Sequence, residues 1–170
     1  WSQYMTETNP HAKTLCDSIY SNNSCSKPLF YMTWGRENGD QDTCQFFDSL
    51  CTYAGMQYLL KERYIHMAQQ NDANVSPIGA VWQYERANYP TIDLYSSAGS
   101  HPSVAGTYLA ACTFYSSIFH KPSSGLDYIS SLSQTDATNI QLASDLVVLD
   151  SLSYWSIDTA EINIHPTTSF

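Results

Sequence analysis

The sequence predicts an α/β fold with a parallel sheet, and two kinds of segment lead to that prediction. Short continuous apolar runs bounded by turn residues, at 29–34 and 74–81, are typical of buried parallel strands. Segments with apolar residues at three- and four-residue steps, at 52–71 and 104–119, have the helical period. Strands and helices that alternate in this way indicate a parallel sheet covered by helices.

The first elements can be assigned in chain order. Residues 10–21 are expected to form a helix, because Pro10 suits a first helical turn. One face of this helix is apolar and carries Ala12, Leu15, Cys16 and Ile19. The strand at 29–34 follows, and residues 35–40 form the loop at its carboxyl end. The long helix at 52–71 comes next.

The second half of the chain continues the same alternation. The strand at 74–81 contains Pro77 and leads into a short helix at 82–88. A last helix opens at Ser133, a good cap with an acid in the first turn, and is expected to continue to Leu152. Only two or three strands are visible. Because a parallel sheet needs more strands to be buried on both faces, the chain is expected to hold part of a sheet.

Composition limits the classes of partner. A chain of 170 residues suits one domain, and seven Lys and Arg against sixteen acids give a net charge of −9. This balance argues against nucleic acid, because phosphate binding needs clustered cations. No apolar run reaches the length of a membrane span, and no cofactor is predicted. The chain opens with Trp1 rather than Met, which favours a processed or truncated product.

Five cysteines point to an oxidising compartment, and so to a secreted, periplasmic or cell-surface protein. Cys44 and Cys51 flank a short loop and are expected to form a disulfide. Cys16 and Cys25 are candidates for a second one. Metal binding is the rival interpretation, but neither pair has tight Cys-x-x-Cys spacing, so no metal site is predicted. Cys112, on the apolar face of a helix, is expected to be a buried free thiol.

The stretch at 94–103 carries the strongest functional signal. A strand is expected to end in a loop that presents His101 and then enters the helix at 104–119, so the imidazole would lie at the carboxyl edge of the sheet. The block Ser-His-Pro-Ser-x-x-Gly-Thr-Tyr-Leu-Ala-Ala at 100–111 resembles the terminal block of the SGNH (GDSL-type) hydrolase family. In that family this histidine is the general base, and an aspartate three residues earlier orients it. Here that position is Ala98.

Four segments together resemble the carboxyl-terminal half of a secreted SGNH subgroup of the type found in Bacteroidota. They are residues 30–40, 51–56, 75–82 and 100–112. The resemblance implies a flavodoxin-like three-layer α/β/α sandwich that lacks its first strands. Residues 1–155 would be the carboxyl-terminal part of one SGNH-like domain, and 156–170 a tail or edge strand.

The resemblance also implies what this chain would need for catalysis. The family's nucleophilic serine and the glycine and asparagine of its oxyanion hole lie in blocks that these 170 residues do not contain. His101 is therefore the remaining catalytic residue, in part of a secreted esterase acting on carbohydrate or lipid esters. An amino-terminal half or a second chain would complete the sheet. The alternative is a non-catalytic SGNH-like pseudoenzyme or structural subunit that binds a glycan or a partner protein, which Ala98 favours.

The loop that follows the first strand is the candidate substrate-binding segment. It would share the sheet edge with His101, and it carries Trp34, Arg36, Asn38 and Asp40. The polar side chains among them suit the hydroxyl or carboxylate groups of a substrate. The alternative is a turn held by Asn-Gly, with an Arg-to-acid pair on the surface.

Overall fold

The computed structural model describes residues 2–157, with side chains from residue 8 onward. Within this range the protein is a mixed α/β structure, as predicted. Its elements are α1 (Ser2–Asn22), β1 (Leu29–Tyr31), α2 (Gln41–Cys44), α3 (Tyr53–Gln70), β2 (Asn74–Ser76), α4 (Ile78–Asn88), α5 (Val104–Phe119) and α6 (Gln134–Leu149). Two 3₁₀ turns lie at Asp48–Leu50 and Leu152–Trp155. None of the helices in the described range is both long and apolar enough to cross a bilayer.

The two strands pair in parallel, with Phe30 opposite Val75. Both strands are shorter than the predicted runs of 29–34 and 74–81. Pro77 has no backbone N–H to continue the ladder, so β2 stops at Ser76 and α4 begins directly afterwards. With no partner strand left, the carbonyl of Met32 accepts a hydrogen bond from Gly79 at the start of α4, at 3.0 Å.

Helices contact β2 from two sides. The Ser76 hydroxyl is hydrogen-bonded to the Ser117 hydroxyl of α5 at 3.0 Å, so this face of the strand lies against α5. Successive side chains of a strand point to opposite faces, so Val75 points away from α5. Helix α3 also contacts β2. The core is largest where α4, α5 and α6 meet, around the fully buried Trp82, Leu109 and Ile140.

Most helix positions agree with the sequence predictions. Helix α5 has the predicted bounds, and α3 begins after Thr52, whose hydroxyl caps it by accepting a hydrogen bond from Gly55 N at 3.1 Å. Helix α6 begins after the Ser133 cap but ends at Leu149, earlier than predicted. Helix α4 begins four residues before the predicted helix at 82–88, because the segment assigned to a strand after Pro77 is helical.

Helix α1 differs most from its prediction. It starts at Ser2 rather than at residue 10, so Pro10 lies inside the helix and not in its first turn. Of the predicted apolar face, only Cys16 is fully buried, whereas Leu15 is 67% exposed and Ile19 is 40% exposed. The cause is that α1 lies on the outside of the described structure, where α3 is its main neighbour.

One of the two predicted disulfides is present. Cys44 and Cys51 are bonded, as predicted, and Cys112 is a buried free thiol. The predicted Cys16–Cys25 pair is wrong, because both residues are free. Cys16 is buried within α1 and Cys25 is exposed in the segment after it, so their side chains are in different environments. Most of the predicted tail at 156–170 lies outside the described residues.

Candidate functional site

His101 lies on a short hairpin that leads into α5. Tyr95 and Pro102 form a single antiparallel bridge, and Ser96 N donates to the carbonyl of His101 at 2.9 Å. The turn between them includes Gly99, whose φ of 63° is in the left-handed region that favours glycine. The strand predicted ahead of this loop is therefore wrong in the described structure. The chain doubles back on itself instead of joining the sheet.

The hairpin is fixed where it enters α5. The Ser103 hydroxyl accepts a hydrogen bond from Gly106 N at 3.1 Å and donates one to the carbonyl of Asp93 at 2.7 Å. A side chain at Gly106 would collide with the carbonyl of Leu94 and the ring of Trp82. The absence of a side chain at Gly106 thus lets α5 approach α4 closely and sets the position of the hairpin.

Two hydrogen bonds join the hairpin to the loop after β1. Glu37 N donates to the carbonyl of Gly99 at 2.8 Å, and Trp34 Nε1 donates to the carbonyl of Ser100 at 3.1 Å. Both acceptors lie within two residues of His101. The two loops therefore contact each other beyond the carboxyl end of β1, although no strand before His101 joins the described sheet.

The Trp34 side chain contacts both the hairpin and α4. Its ring stacks on Trp82 with centroids 4.0 Å apart and planes 5° from parallel. One face of the ring is therefore covered, and its only hydrogen-bond donor is used by Ser100. Only the other face and the edge of the Trp34 ring could therefore contact a substrate, as the sequence predicted for this residue.

The three other candidates of this loop form a braced turn. Arg36 Nη1 pairs with Asp40 Oδ1 at 3.1 Å, and Asp40 also accepts a hydrogen bond from Thr43 Oγ1 at 3.1 Å. The Asn38 carbonyl accepts from Gln41 Nε2 at 2.6 Å. The Arg-to-acid pair of the alternative interpretation is thus present. The Asn38 amide is exposed and has no hydrogen-bond partner among residues 8–157.

Arg86 is a central residue of this region that the sequence did not reveal. Its guanidinium lies 4.0 Å from the ring centroid of Tyr53 and 5.2 Å from that of Tyr95. It donates to the Tyr95 hydroxyl at 3.0 Å and to the carbonyl of Glu37 at 3.3 Å. Tyr95 in turn donates to the carbonyl of Gly35 at 2.7 Å. The one sequence feature that could have drawn attention to Arg86 is that the chain has only seven Lys and Arg residues.

Burial governs the titration of the two tyrosines beside Arg86. It raises the pKa of Tyr53 well above the ordinary value of 10.0. Burial also raises the pKa of Tyr95, against the opposing effect of its hydrogen bond from Arg86. Both phenols therefore stay neutral near pH 7, and Arg86 acts as a positive centre shielded by aromatic rings.

The His101 imidazole itself is exposed. No side chain in the described part of the chain forms a hydrogen bond or ion pair with it. Ala98 is also exposed and offers no carboxylate. The Glu37 carboxylate lies against Gly99, which is two residues before His101. In residues 8–157 no three His, Cys, Asp or Glu side chains come together as a metal site would require. No described side chain therefore fixes the orientation of the imidazole.

Each arm of the hairpin borders a groove. A groove of about 300 Å³ adjoins the arm at Leu94 and Tyr95 and includes Arg86. A groove of about 700 Å³ adjoins the arm at Pro102 and Ser103. The sequence did not reveal either one. The two grooves therefore lie on either arm of the hairpin that carries His101.

Comparison with known proteins gives one informative likeness. No protein-family model matches the sequence, and no curated protein matches it significantly. A crystal structure of a DUF4886 family protein from Bacteroides uniformis is similar over 81% of this chain, with a TM-score of 0.71 and 18% sequence identity. The chain spans about half the length of that protein, 54%. The described structure therefore shares its fold with part of a larger protein.

Proposed function

We propose that this chain is the histidine-bearing part of a secreted SGNH-type ester hydrolase that acts on carbohydrate or lipid esters. The observation that carries the proposal is the fixed position of the hairpin backbone that bears His101. Two hydrogen bonds to backbone carbonyls hold its hairpin against the loop beyond β1, and ligands of open α/β folds bind at the carboxyl ends of strands. The Cys44–Cys51 disulfide suits an oxidising compartment.

In this proposal the whole fold is a flavodoxin-like three-layer sandwich, and the chain contributes part of it. Two findings support this view. Helices α3 and α5 both contact β2, as the outer layers of a sandwich would. Among the described residues β1 pairs only with β2, so its other edge has unpaired backbone groups that a further strand could satisfy. An amino-terminal segment or a second chain would supply that strand.

The reaction would be acyl transfer through a covalent intermediate. A serine from the completing segment attacks the ester carbonyl, and His101 accepts its proton. His101 then gives that proton to the leaving alcohol. In the second half, His101 removes a proton from the water that attacks the acyl-enzyme, and it then gives this proton to the departing serine oxygen, so that the acid is released and both residues are restored. Arg36 and Asn38, both exposed at the neighbouring loop, are available to contact the substrate.

Labelling with a fluorophosphonate probe tests this function. The native protein is labelled and the modified peptide is identified by mass spectrometry. We expect a labelled serine outside residues 1–170, with labelling lost in His101→Ala. The matched control is His66→Ala, which removes another exposed histidine, on α3. If no serine is labelled in the folded protein, the hydrolase proposal is wrong.

A second candidate is a non-catalytic protein that keeps the site as a binding surface. Ala98 favours it, because loss of the orienting carboxylate costs serine hydrolases on the order of 10⁴ in turnover. The variant Ala98→Asp separates the two candidates. In a hydrolase it should raise the hydrolysis of p-nitrophenyl acetate by about 10²-fold or more. In a binding protein it should leave the rate at the background level.

A further inference from the structure

The larger groove beside the hairpin lies between α5 and the segment that joins α5 to α6. It has a volume of about 700 Å³, and its lining includes Pro102, Val104, Thr107, Tyr108, Tyr128 and Ser130. Pro102 directly follows His101, so the groove borders the hairpin that carries the imidazole. A ligand portion bound here would lie beside the hairpin on which the proposed chemistry depends.

The lining of this groove carries no charged side chain. The protein as a whole has a net charge of −9, which disfavours the approach of anions. A cation would find no carboxylate in the lining with which to pair, and an ionised group bound without a partner is costly to desolvate. The groove therefore favours a neutral ligand.

The segment that forms one wall is irregular but held in place. Tyr108 donates its hydroxyl proton to the carbonyl of Tyr128 at 2.8 Å. The buried amide of Gln141 donates to the carbonyl of Leu126 at 3.1 Å and accepts from Gly125 N at 3.2 Å. A wall that is already ordered loses little conformational entropy when a ligand binds.

On this fixed wall the Tyr128 side chain is exposed to solvent. It is 75% exposed, although its own backbone carbonyl is tied to Tyr108. An aromatic ring offers an apolar face with a polar edge, and the C–H face of a sugar ring matches that surface. Thr107 and Ser130 add hydroxyl groups, and the Ser130 hydroxyl has no hydrogen-bond partner within residues 8–157.

A fatty acyl chain fits this groove less well. Sites for apolar ligands usually enclose most of the ligand surface between hydrophobic walls. Here Tyr128, one of the two tyrosines of the lining, is mostly in water, and hydroxyl groups are part of the lining. The combination of an open aromatic face and neutral polar groups suits a ligand that is itself largely hydrated.

We propose that this groove binds a neutral sugar ring, which stacks on Tyr128 and places the adjoining part of a glycan beside His101. As a substrate subsite it rests on the proposed hydrolase function. The ester to be cleaved would then be borne by a carbohydrate. Under the non-catalytic alternative, the same groove would be the glycan-binding surface.

Calorimetric titration of the purified protein tests the groove. The probes are the neutral hexasaccharides of cellulose, xylan, mannan and starch, together with an oligogalacturonate and decanoate. We expect at least one neutral hexasaccharide to bind, and Tyr128→Ala to weaken that binding by about 10-fold or more. Tyr128→Phe keeps the ring and should retain the affinity. Tyr58→Ala is the matched control, because Tyr58 is 62% exposed on α3, away from the groove lining.

The inference is overturned if no neutral hexasaccharide binds, or if Tyr128→Ala and Tyr58→Ala affect binding equally. It is also overturned if decanoate or oligogalacturonate is the only probe whose binding depends on Tyr128. The two proposals fail separately. If a sugar binds at Tyr128 but no serine is labelled, the groove inference holds and the hydrolase proposal is wrong. If a serine is labelled in a His101-dependent way but no sugar binds, the hydrolase proposal holds and the groove inference is wrong.

Discussion

Helices α5 and α1 are both long, but α5 is mostly buried, whereas α1 is mostly exposed. Helix α5 buries nine of its sixteen residues against β2, α4 and α6. In the part of α1 whose side chains are described, residues 8–22, Cys16 is the only fully buried residue. The contacts of α1 are largely polar, such as the hydrogen bond from the Tyr20 hydroxyl to the carbonyl of Asp72 at 2.6 Å.

The difference shows that an apolar stripe predicts a helix better than it predicts what covers the stripe. Both helices have apolar residues at helical spacing, and both were recognised from it. Tertiary packing supplies most of the stability of a helix in water. A helix whose apolar face is exposed is therefore expected to unfold locally at a lower free-energy cost. Within residues 8–157, Leu15 and Ile19 of α1 are exposed.

The largest expected effect is a direct comparison of one substitution in the two helices. Leu109→Ala removes a fully buried side chain of α5 and should lower the free energy of unfolding by about 4 kcal/mol. Leu15→Ala, at a position 67% exposed on α1, should change it by less than about 0.5 kcal/mol. Chemical denaturation of both variants measures the two values. A cost above about 2 kcal/mol for Leu15→Ala would mean that this face of α1 is covered in solution.

The second expected effect is a pH dependence of stability that comes from a buried acid on α4. Glu85 of α4 is fully buried, and neither carboxylate oxygen has a hydrogen-bond partner in residues 8–157. Burial, with a smaller contribution from Asp136, raises its pKa from 4.5 to about 7. The folded protein thus binds this proton more tightly than the unfolded chain. Stability is greatest below the unfolded value and falls as the pH rises through about 7.

The variant Glu85→Gln tests this pH dependence. At about 1.36 kcal/mol per pKa unit, the loss of stability in the parent protein is on the order of 3 kcal/mol between pH 4.5 and pH 8. The Gln variant, which cannot ionise, should lack most of that slope in denaturation curves recorded across this range. An unchanged slope in Glu85→Gln would show that another group is responsible.

The third expected effect concerns the segment between α5 and α6. Asp145 accepts hydrogen bonds from the Ser116 hydroxyl at 3.0 Å and from the backbone N–H and hydroxyl groups of both Ser123 and Ser124. Burial alone would raise the pKa of Asp145, but the bonds from Ser124 and Ser123 outweigh it and lower the pKa below 3.8. Its stabilisation is therefore present above the unfolded value and is lost as the pH falls through the folded value.

Asp145→Asn should cost about 2 kcal/mol at pH 7, because an amide cannot accept all of these bonds. Thermal unfolding at pH 7 and again below pH 3 measures the effect. The difference between variant and parent should shrink as the pH falls through the folded-state pKa and the parent carboxyl becomes protonated. Asp17→Asn serves as the control, since Asp17 forms only an exposed pair with Lys13 on α1.

The smallest expected effect compares the two buried thiols. Cys16 of α1 and Cys112 of α5 are each 3% exposed, and burial raises the pKa of both, that of Cys112 to about 11. Reaction with iodoacetamide then depends on how often each helix opens. We expect Cys16 to react at least about 10-fold faster than Cys112, with exposed Cys25 fastest, as followed by mass spectrometry. Equal rates for Cys16 and Cys112 would show that α1 is held as firmly as α5.

The sequence predicted the elements that carry their own start signals. Ser133 marked the beginning of α6, and the short separation of Cys44 and Cys51 indicated their disulfide. The meeting of the His101 loop with the loop after β1 also followed, because both were expected at the carboxyl edge of the sheet. Local chemistry was sufficient in each of these cases.

The remaining features depend on long-range packing. The role of Arg86 arises from Tyr53, which is far away in the chain, and from Tyr95, and both meet it only in the folded protein. The groove at Tyr128 depends on Gln141, a residue with no motif around it. No periodicity or spacing in the sequence reports such contacts.

The hydrogen bonds that hold the histidine hairpin end on the carbonyls of Gly99 and Ser100, which belong to the backbone and not to any side chain. The hairpin therefore stays in place whatever side chain occupies the exposed position 98. A carboxylate can be gained or lost there by one substitution without a structural penalty. If the proposed function holds, one substitution at position 98 would separate a protein that turns over its ligand from one that only binds it, and protein engineers could make that change directly.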